Sequence, residues 1–171
     1  MNRLYKTIFD TVLGTMIAIA SEEGICLLDY LDNKTLTLKI NQIVTAYSTN
    51  NYEGSHEYLE QMKEQLHMYF QGTRKIFELR LDLVGTNFQK QVWRSLMEIP
   101  YSTTISYAQQ ARQLGYPSAQ RAIANANGRN KIAIILPCHR VIGKNGNLVG
   151  YGGGIWRKAK LIELETTNKM L

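Results

Sequence analysis

Hydrophobic and polar residues along this chain follow two rhythms, and the change of rhythm divides it. The first thirty residues hold three short apolar runs, LYKTIF, TMIAIA and GICLLDY, separated by Leu13-Gly14 and by SEEG. Gly24 can supply a turn of positive φ, so the pattern predicts a β-meander. Residues 35–48 fit two periods: Leu36, Leu38 and Ile40 alternate as in a strand, whereas Ile40, Ile43 and Val44 suit a helix, and the pattern leaves both open. From Ser55, the positions Tyr58, Leu59, Met62, Leu66, Tyr69 and Phe70 recur at three- and four-residue steps, which predicts a helix that Gly72 stops. The period then changes to two. In FELRLDL, Phe77, Leu79, Leu81 and Leu83 alternate with Glu78, Arg80 and Asp82, as in a strand with one solvated face. Residues 1–84 therefore read as a small α/β domain, a mostly antiparallel sheet plus helix.

Past Gly85 the rhythm becomes helical. Thr86 can cap a helix that carries Phe88, Val92, Trp93 and Leu96 on one side and is closed by Pro100. Ser106 with Gln109 makes a capping box for SYAQQARQL, Gly115 ends that helix, and YPS turns the chain into AQRAIANAN, which runs to Gly128. Helix, tight turn, helix is the helix-turn-helix layout, so residues 85–171 are expected to form a mainly α domain. In its second helix Ala119, Ala122 and Ala126 leave one face with little bulk beside Arg121. Such a face either packs tightly on a neighbouring helix or enters a groove. A helix is about 10 Å across and a DNA minor groove about 6 Å wide, so only a slim face could lodge in a widened one.

Composition narrows the partners. The 171 residues are 44% hydrophobic and carry 20 Lys and Arg against 14 Asp and Glu, a net charge of +6. That content supports a packed core, and the sign of the charge favours a polyanion. No run approaches the ~20 apolar residues of a membrane helix, and MNRLYKTIFD lacks a secretory apolar segment, so a cytoplasmic protein without a membrane partner is expected. The two cysteines, Cys26 and Cys138, form no CxxC pair and no Cys/His cluster with zinc spacing, which argues against a disulfide framework or a metal.

The candidate chemistry sits at PCHRVIG. Cys26, in GICLLDY, has no base or cation near it in sequence and reads as core. Cys138 follows KIAIILP, a run of strand or buried-loop type, and is flanked by His139 and Arg140, which could take its proton or stabilise its anion. Adjacent side chains diverge, so His139 would act through a water or a reorientation. Asn145-Gly146 signals a tight turn, and GYGGG at 150–154 lets backbone approach a flat ligand. A reactive cysteine beside a close-fitting pocket is one reading; a thiol that only fills space is the other.

Taken together, PCHRVIG at 137–143, GRNKIAIIL before it, ISYAQQARQLGYPSAQRA at 105–122 and GYGGG resemble the methylated-DNA–protein-cysteine methyltransferases, the O6-alkylguanine-DNA alkyltransferases. The resemblance covers nearly all of residues 86–165; the N-terminal third shares strand layout and ASEEGICLLDY. It implies a ribonuclease-H-like first domain and a winged-helix-like second. It also implies a monomer without cofactor, acting once on double-stranded DNA that bears O6-alkylguanine (or O4-alkylthymine). By the same resemblance Cys138 accepts the alkyl group, His139 is the base through a bound water, and Glu165 completes the relay. Tyr107 lies against the flipped guanine and donates a proton, Asn130 braces the cysteine loop, and Arg121 wedges into the base stack from a helix that presents Ala119, Gln120 and Ala122 to DNA. Val141, Tyr151 and Gly152 form the base pocket, and Gly152 suggests room for more than a methyl group. The chain departs from the family at Lys131, where proline is common, and at Leu164, where histidine often stands. A cysteine hydrolase of acyl substrates and a non-catalytic lesion-binding protein are the competing readings. The first leaves the helix-turn-helix and Arg121 unused; the second leaves Cys138 unused.

Overall fold

The computed structural model describes residues 2–171. Three strands, β1 (Leu4–Thr11), β2 (Gly14–Ser21) and β3 (Ile25–Tyr30), form the antiparallel meander. The segment whose period was ambiguous is α1 (Leu36–Tyr47), which turns Leu36 and Ile43 inward and leaves Leu38 outside. Tertiary packing selects the helix, because only the helical set shares one face. A two-residue strand, β4 (Tyr52–Glu53), pairs parallel to β1 and completes a sheet of order β3-β2-β1-β4. Then α2 (Glu57–Phe70) buries Leu59, Met62, Leu66, Tyr69 and Phe70, the face its spacing predicts.

The strand expected over 77–83 does not form. Leu81 makes one isolated bridge to Ile25, with Ile25 N–H donating to the Arg80 carbonyl and Asp82 N–H to that of Ile25. The alternation is nonetheless physical: Phe77, Leu79, Leu81 and Leu83 all pack against the main core. An extended strap can bury every second side chain without a neighbouring strand to ladder with, and periodicity does not distinguish the two.

The second part of the chain follows its capping signals closely. Thr86 and Gln89 form a capping box on α3 (Asn87–Leu96). A short β5 (Ile105–Ser106) leads into α4 (Tyr107–Gln113), capped by Ser106 and Gln109, and Gly115 at φ +80° ends the turn. After that turn comes α5 (Gln120–Gly128). Trp93 is buried between these helices and donates its indole N–H to the Ala126 carbonyl at 2.8 Å. Residues 131–137 are a buried loop and not a strand: Ile134 has φ +71°, and Leu28–Ile132 is an isolated bridge. The chain then makes a 3-10 turn at Cys138–Arg140, pairs β6 (Val141–Ile142) parallel to β5, and ends in α6 (Ile155–Thr167).

The core does not stop at residue 85. One cluster joins Ala18, Leu28 and Tyr30 of the sheet, Leu59 and Met62 of α2, Trp93 of α3, the loop Ile132–Leu136 and Leu161 and Leu164 of α6. Arg157 fastens the two parts at the rim. Its Nε donates to the Leu13 carbonyl at 2.7 Å, Nη1 to Asp32 at 2.6 Å and to the Gly153 carbonyl at 3.0 Å, and the guanidinium lies 4.2 Å from the Tyr30 ring. Arg157→Met keeps the stem but strands these buried carbonyls, and is expected to cost about 2 kcal/mol of stability. Urea titration followed by tryptophan fluorescence measures this; a loss under about 0.5 kcal/mol would show that the clamp is dispensable.

Candidate active site

The 3-10 turn that carries Cys138 is wedged between the buried loop before it and α6. Asn130 fixes that loop: its amide donates to the Leu136 carbonyl at 2.8 Å, and its carbonyl oxygen accepts from Ile132 N–H at 2.9 Å. Cys138 is partly exposed, whereas His139 and Arg140 are buried. Burial pushes the Cys138 thiol up from its ordinary value, while the Asn130 amide and the ammoniums of Lys158 and Lys39 oppose that shift. Cys26 is buried with its thiol pushed up to about 12, as a core residue should be.

Beneath the thiol, α6 presents Glu165. Its carboxylate accepts from Tyr69 Oη at 2.7 Å, contacts His139 Nε2 at 2.8 Å, and accepts from Arg140 Nε and Nη2 at 2.9 Å each. Burial alone would raise this carboxyl, but hydrogen bonds from His139 and Arg140 and the guanidinium charge bring it down to about 2. Burial holds the His139 imidazole below its usual value despite the carboxylate beside it. A neutral ring that donates through Nε2 to Glu165 leaves Nδ1 as a lone-pair acceptor, and Nδ1 is buried without a partner among the described residues. Arg140 does not serve the sulfur, one of the roles its place beside Cys138 allowed. It is spent on Glu165 and on the Ile99 carbonyl at 2.7 Å.

The pocket rim is held by a residue that sequence reasoning missed. Lys158 is fully buried and donates to the carbonyls of Val141 at 2.6 Å, Val149 at 2.9 Å and Gly150 at 3.3 Å. The carbonyl of Val141, a residue expected in the base pocket, thus accepts one of these bonds. Tyr107, the first residue of α4, donates to the Val149 carbonyl at 3.1 Å, and burial together with Cys138 pushes its phenol up to about 12. A signal for Lys158 existed: Lys158, Leu161 and Glu165 fall at three- and four-residue steps on α6, in phase with its apolar positions.

Two glycines of GYGGG also lie against the N-terminal part of the chain. A Cβ on Gly152 would lie 2.7 Å from Asn33 Nδ2, and one on Gly153 would lie 2.5 Å from the Tyr30 ring. Their bareness lets the loop press against the N-terminal domain. On the other side of the site, Gln120, Arg121 and Ala122 are exposed at the start of α5, and Ala119 is half-buried. Ala126 packs inward with Val92, Ala111 and Ile123, so the alanine stripe is divided between a packing face and an open one.

Comparison with known proteins agrees with this architecture. Residues 87–167 match the DNA-binding domain of the 6-O-methylguanine DNA methyltransferase family, and residues 4–83 match its ribonuclease-like domain. A methylated-DNA–protein-cysteine methyltransferase of Methanosarcina acetivorans is 40% identical over 162 residues, covering 95% of this chain and 98% of the relative. The enzyme of the same name from Mycobacterium tuberculosis is 57% identical over 102 residues, 60% of this chain and 62% of the relative. The crystal structure of Mycobacterium tuberculosis OGT in complex with DNA superposes with a TM-score of 0.83 at 38% identity, covering 96% of this chain and 94% of that one. With both of its halves matched in order, the chain belongs to the 6-O-methylguanine DNA methyltransferase family.

Proposed function

We propose that this protein repairs O6-alkylguanine in double-stranded DNA by moving the alkyl group onto Cys138, as a cytoplasmic monomer that acts once. The carrying observation is the juxtaposition in one 3-10 turn of a partly exposed thiol with a neutral, carboxylate-anchored histidine. The thiol is protonated at rest and needs a base; His139 has a free nitrogen, and Glu165 stabilises the imidazolium that forms when the proton arrives, through an intervening water. The thiolate forms a bond to the alkyl carbon as the bond from that carbon to O6 breaks. The electron pair passes into the guanine ring, where Tyr107, whose phenol keeps its proton at neutral pH, supplies a proton to the leaving base.

Sulfur on the floor of this site cannot reach an oxygen on a stacked base, so the nucleotide must turn out of the duplex, at a few kcal/mol that a poorly paired lesion lowers. The exposed Arg121, flanked by Gln120 and Ala122, is suited to enter the minor groove and fill the vacated stack. Water does not readily cleave the resulting thioether, so the protein is consumed. Neither the hydrolase nor the non-catalytic reading is favoured by an observation in the structure.

Incubation with duplex carrying O6-methylguanine is expected to add one methyl group per chain, on the Cys138 peptide, by intact and peptide mass spectrometry. Turnover, or a label on Cys26, overturns the assignment. Arg121→Ala should slow repair of duplex far more than transfer from the free base; equal slowing would remove the wedge. The relay also sets a pH dependence. His139 and Glu165 both lie below their ordinary values, so the native state binds fewer protons than the unfolded chain as pH falls. Stability should be full above pH 6.5, decline as unfolded His139 protonates, and decline further from pH 4.5 to about 2 as unfolded Glu165 does. Glu165→Gln, which leaves Arg140 buried and unpaired, is expected to cost about 3 kcal/mol at pH 7 and to flatten the lower limb. Unfolding curves that stay parallel across pH would contradict this.

A further inference from the structure

Beside Cys138 lies a cavity of about 20 Å³, lined by Ala133, Tyr151 and Asn130 from the second part of the chain and by Tyr30, Asn33 and Asp29 from the N-terminal domain. That is about the volume of one water. Its position matters because of the geometry of displacement. Sulfur approaches the alkyl carbon opposite the departing oxygen, so the other substituents of that carbon splay sideways, into whatever space adjoins the thiol. A methyl group brings only hydrogens there. Any longer chain must lodge its further carbons in this cavity or push a wall aside.

The N-terminal wall is rigid. Asn33 Nδ2 donates to both carboxylate oxygens of Asp29 at 3.0 Å, and its Oδ1 accepts from the N–H and hydroxyl of Thr35 at 3.0 and 3.1 Å. Asp29 is in turn held by Lys39 Nζ at 2.7 Å, and all three side chains are buried. Swinging Asn33 out of the way would strand a carboxylate and a backbone N–H together, each costly when buried. Tyr30 is equally fixed, with its ring against the Arg157 guanidinium and its hydroxyl 3.4 Å from that of Tyr151.

We propose that Asn33 is a specificity-determining residue, a side chain of the N-terminal domain that closes the alkyl side of the pocket and confines this protein to methyl and similarly small groups. The proposal rests on the alkyl-transfer reading and names the substrate class of that site. It gives the first domain a part in substrate choice.

The experiment measures second-order rates of adduct formation on the full chain with duplexes carrying O6-methylguanine or O6-n-butylguanine, read by intact mass. Wild type should transfer butyl about 100-fold more slowly than methyl, in the range that a few surplus methylenes impose on a closed pocket. Asn33→Ala should shrink that ratio about tenfold while methyl transfer changes less than about threefold. Asn33→Ser, which retains a hydroxyl toward Asp29 in a smaller volume, decides the matter if the alanine variant does not fold. A wild-type ratio near unity, or a ratio unchanged in a folded variant, overturns the proposal. Absence of methyl transfer in wild type would instead sink the alkyl-transfer reading itself.

Discussion

One buried carboxylate organises the reactive half of the molecule. Glu165 reaches from α6 into the space below the thiol and gathers a phenol, an imidazole and a guanidinium from two other elements. Tyr69 comes from α2, His139 and Arg140 from the turn that carries Cys138. An uncompensated carboxylate at this depth would cost several kcal/mol, so its donors are held with little freedom, and the turn is held with them. Because His139 and Arg140 are the two residues after the cysteine, the constraint passes directly to the sulfur. Asn130 restrains the same turn from the other side through the Leu136 carbonyl.

The same economy explains why the thiol can be both protonated and poised. Burial alone disfavours the anion, and the cations that oppose it are engaged elsewhere: Lys158 on three carbonyls, Lys39 on Asp29. A sulfur kept neutral until a substrate arrives is shielded from oxidation, which attacks thiolates. If the sulfur is spent once, as proposed above, that restraint is worth more than a standing anion would be.

Much of this was legible in the chain, and what was not has a physical reason. The capping boxes at Thr86 and Ser106 and the faces of α2 and α3 follow from local rules, and local rules suffice for elements whose signals lie within four residues. Segment 77–83 carried the right inward residues and the wrong assignment, since pairing depends on a partner strand that no local pattern reveals. Cys138 and His139 stand out from the residues of PCHRVIG, Glu165 only through the family resemblance, and the structure brings His139 and Glu165 into contact. The role of Arg140 stays open in the sequence, because proximity along the chain does not fix where a guanidinium points; it points to Glu165 and the Ile99 carbonyl. Lys158 and the Asp29–Asn33–Lys39 group were missed for the same reason as each other: a buried polar side chain looks like a solvated one until its partners are known. Asp29 sits inside an apolar strand, where a carboxylate is a local sign of buried partners.

That last group bears on how the two parts of the chain are related. If the N-terminal domain only propped up the other, its contacts with the active-site side would be apolar and tolerant, and the continuous core would suffice. Instead the glycines at 152 and 153 are shaved to the backbone where they meet Asn33 and Tyr30, and those two side chains are fixed by partners of their own. Close approach of a loop to a rigid polar wall is costly in sequence freedom, since any Cβ at either glycine forces a neighbour to move. Stability does not require such an arrangement, because a hydrophobic seam of the same area would hold the halves together with less specificity. On the proposed reading, a wall of fixed shape beside the sulfur gives the arrangement a use, and the pocket is then a joint product of both domains.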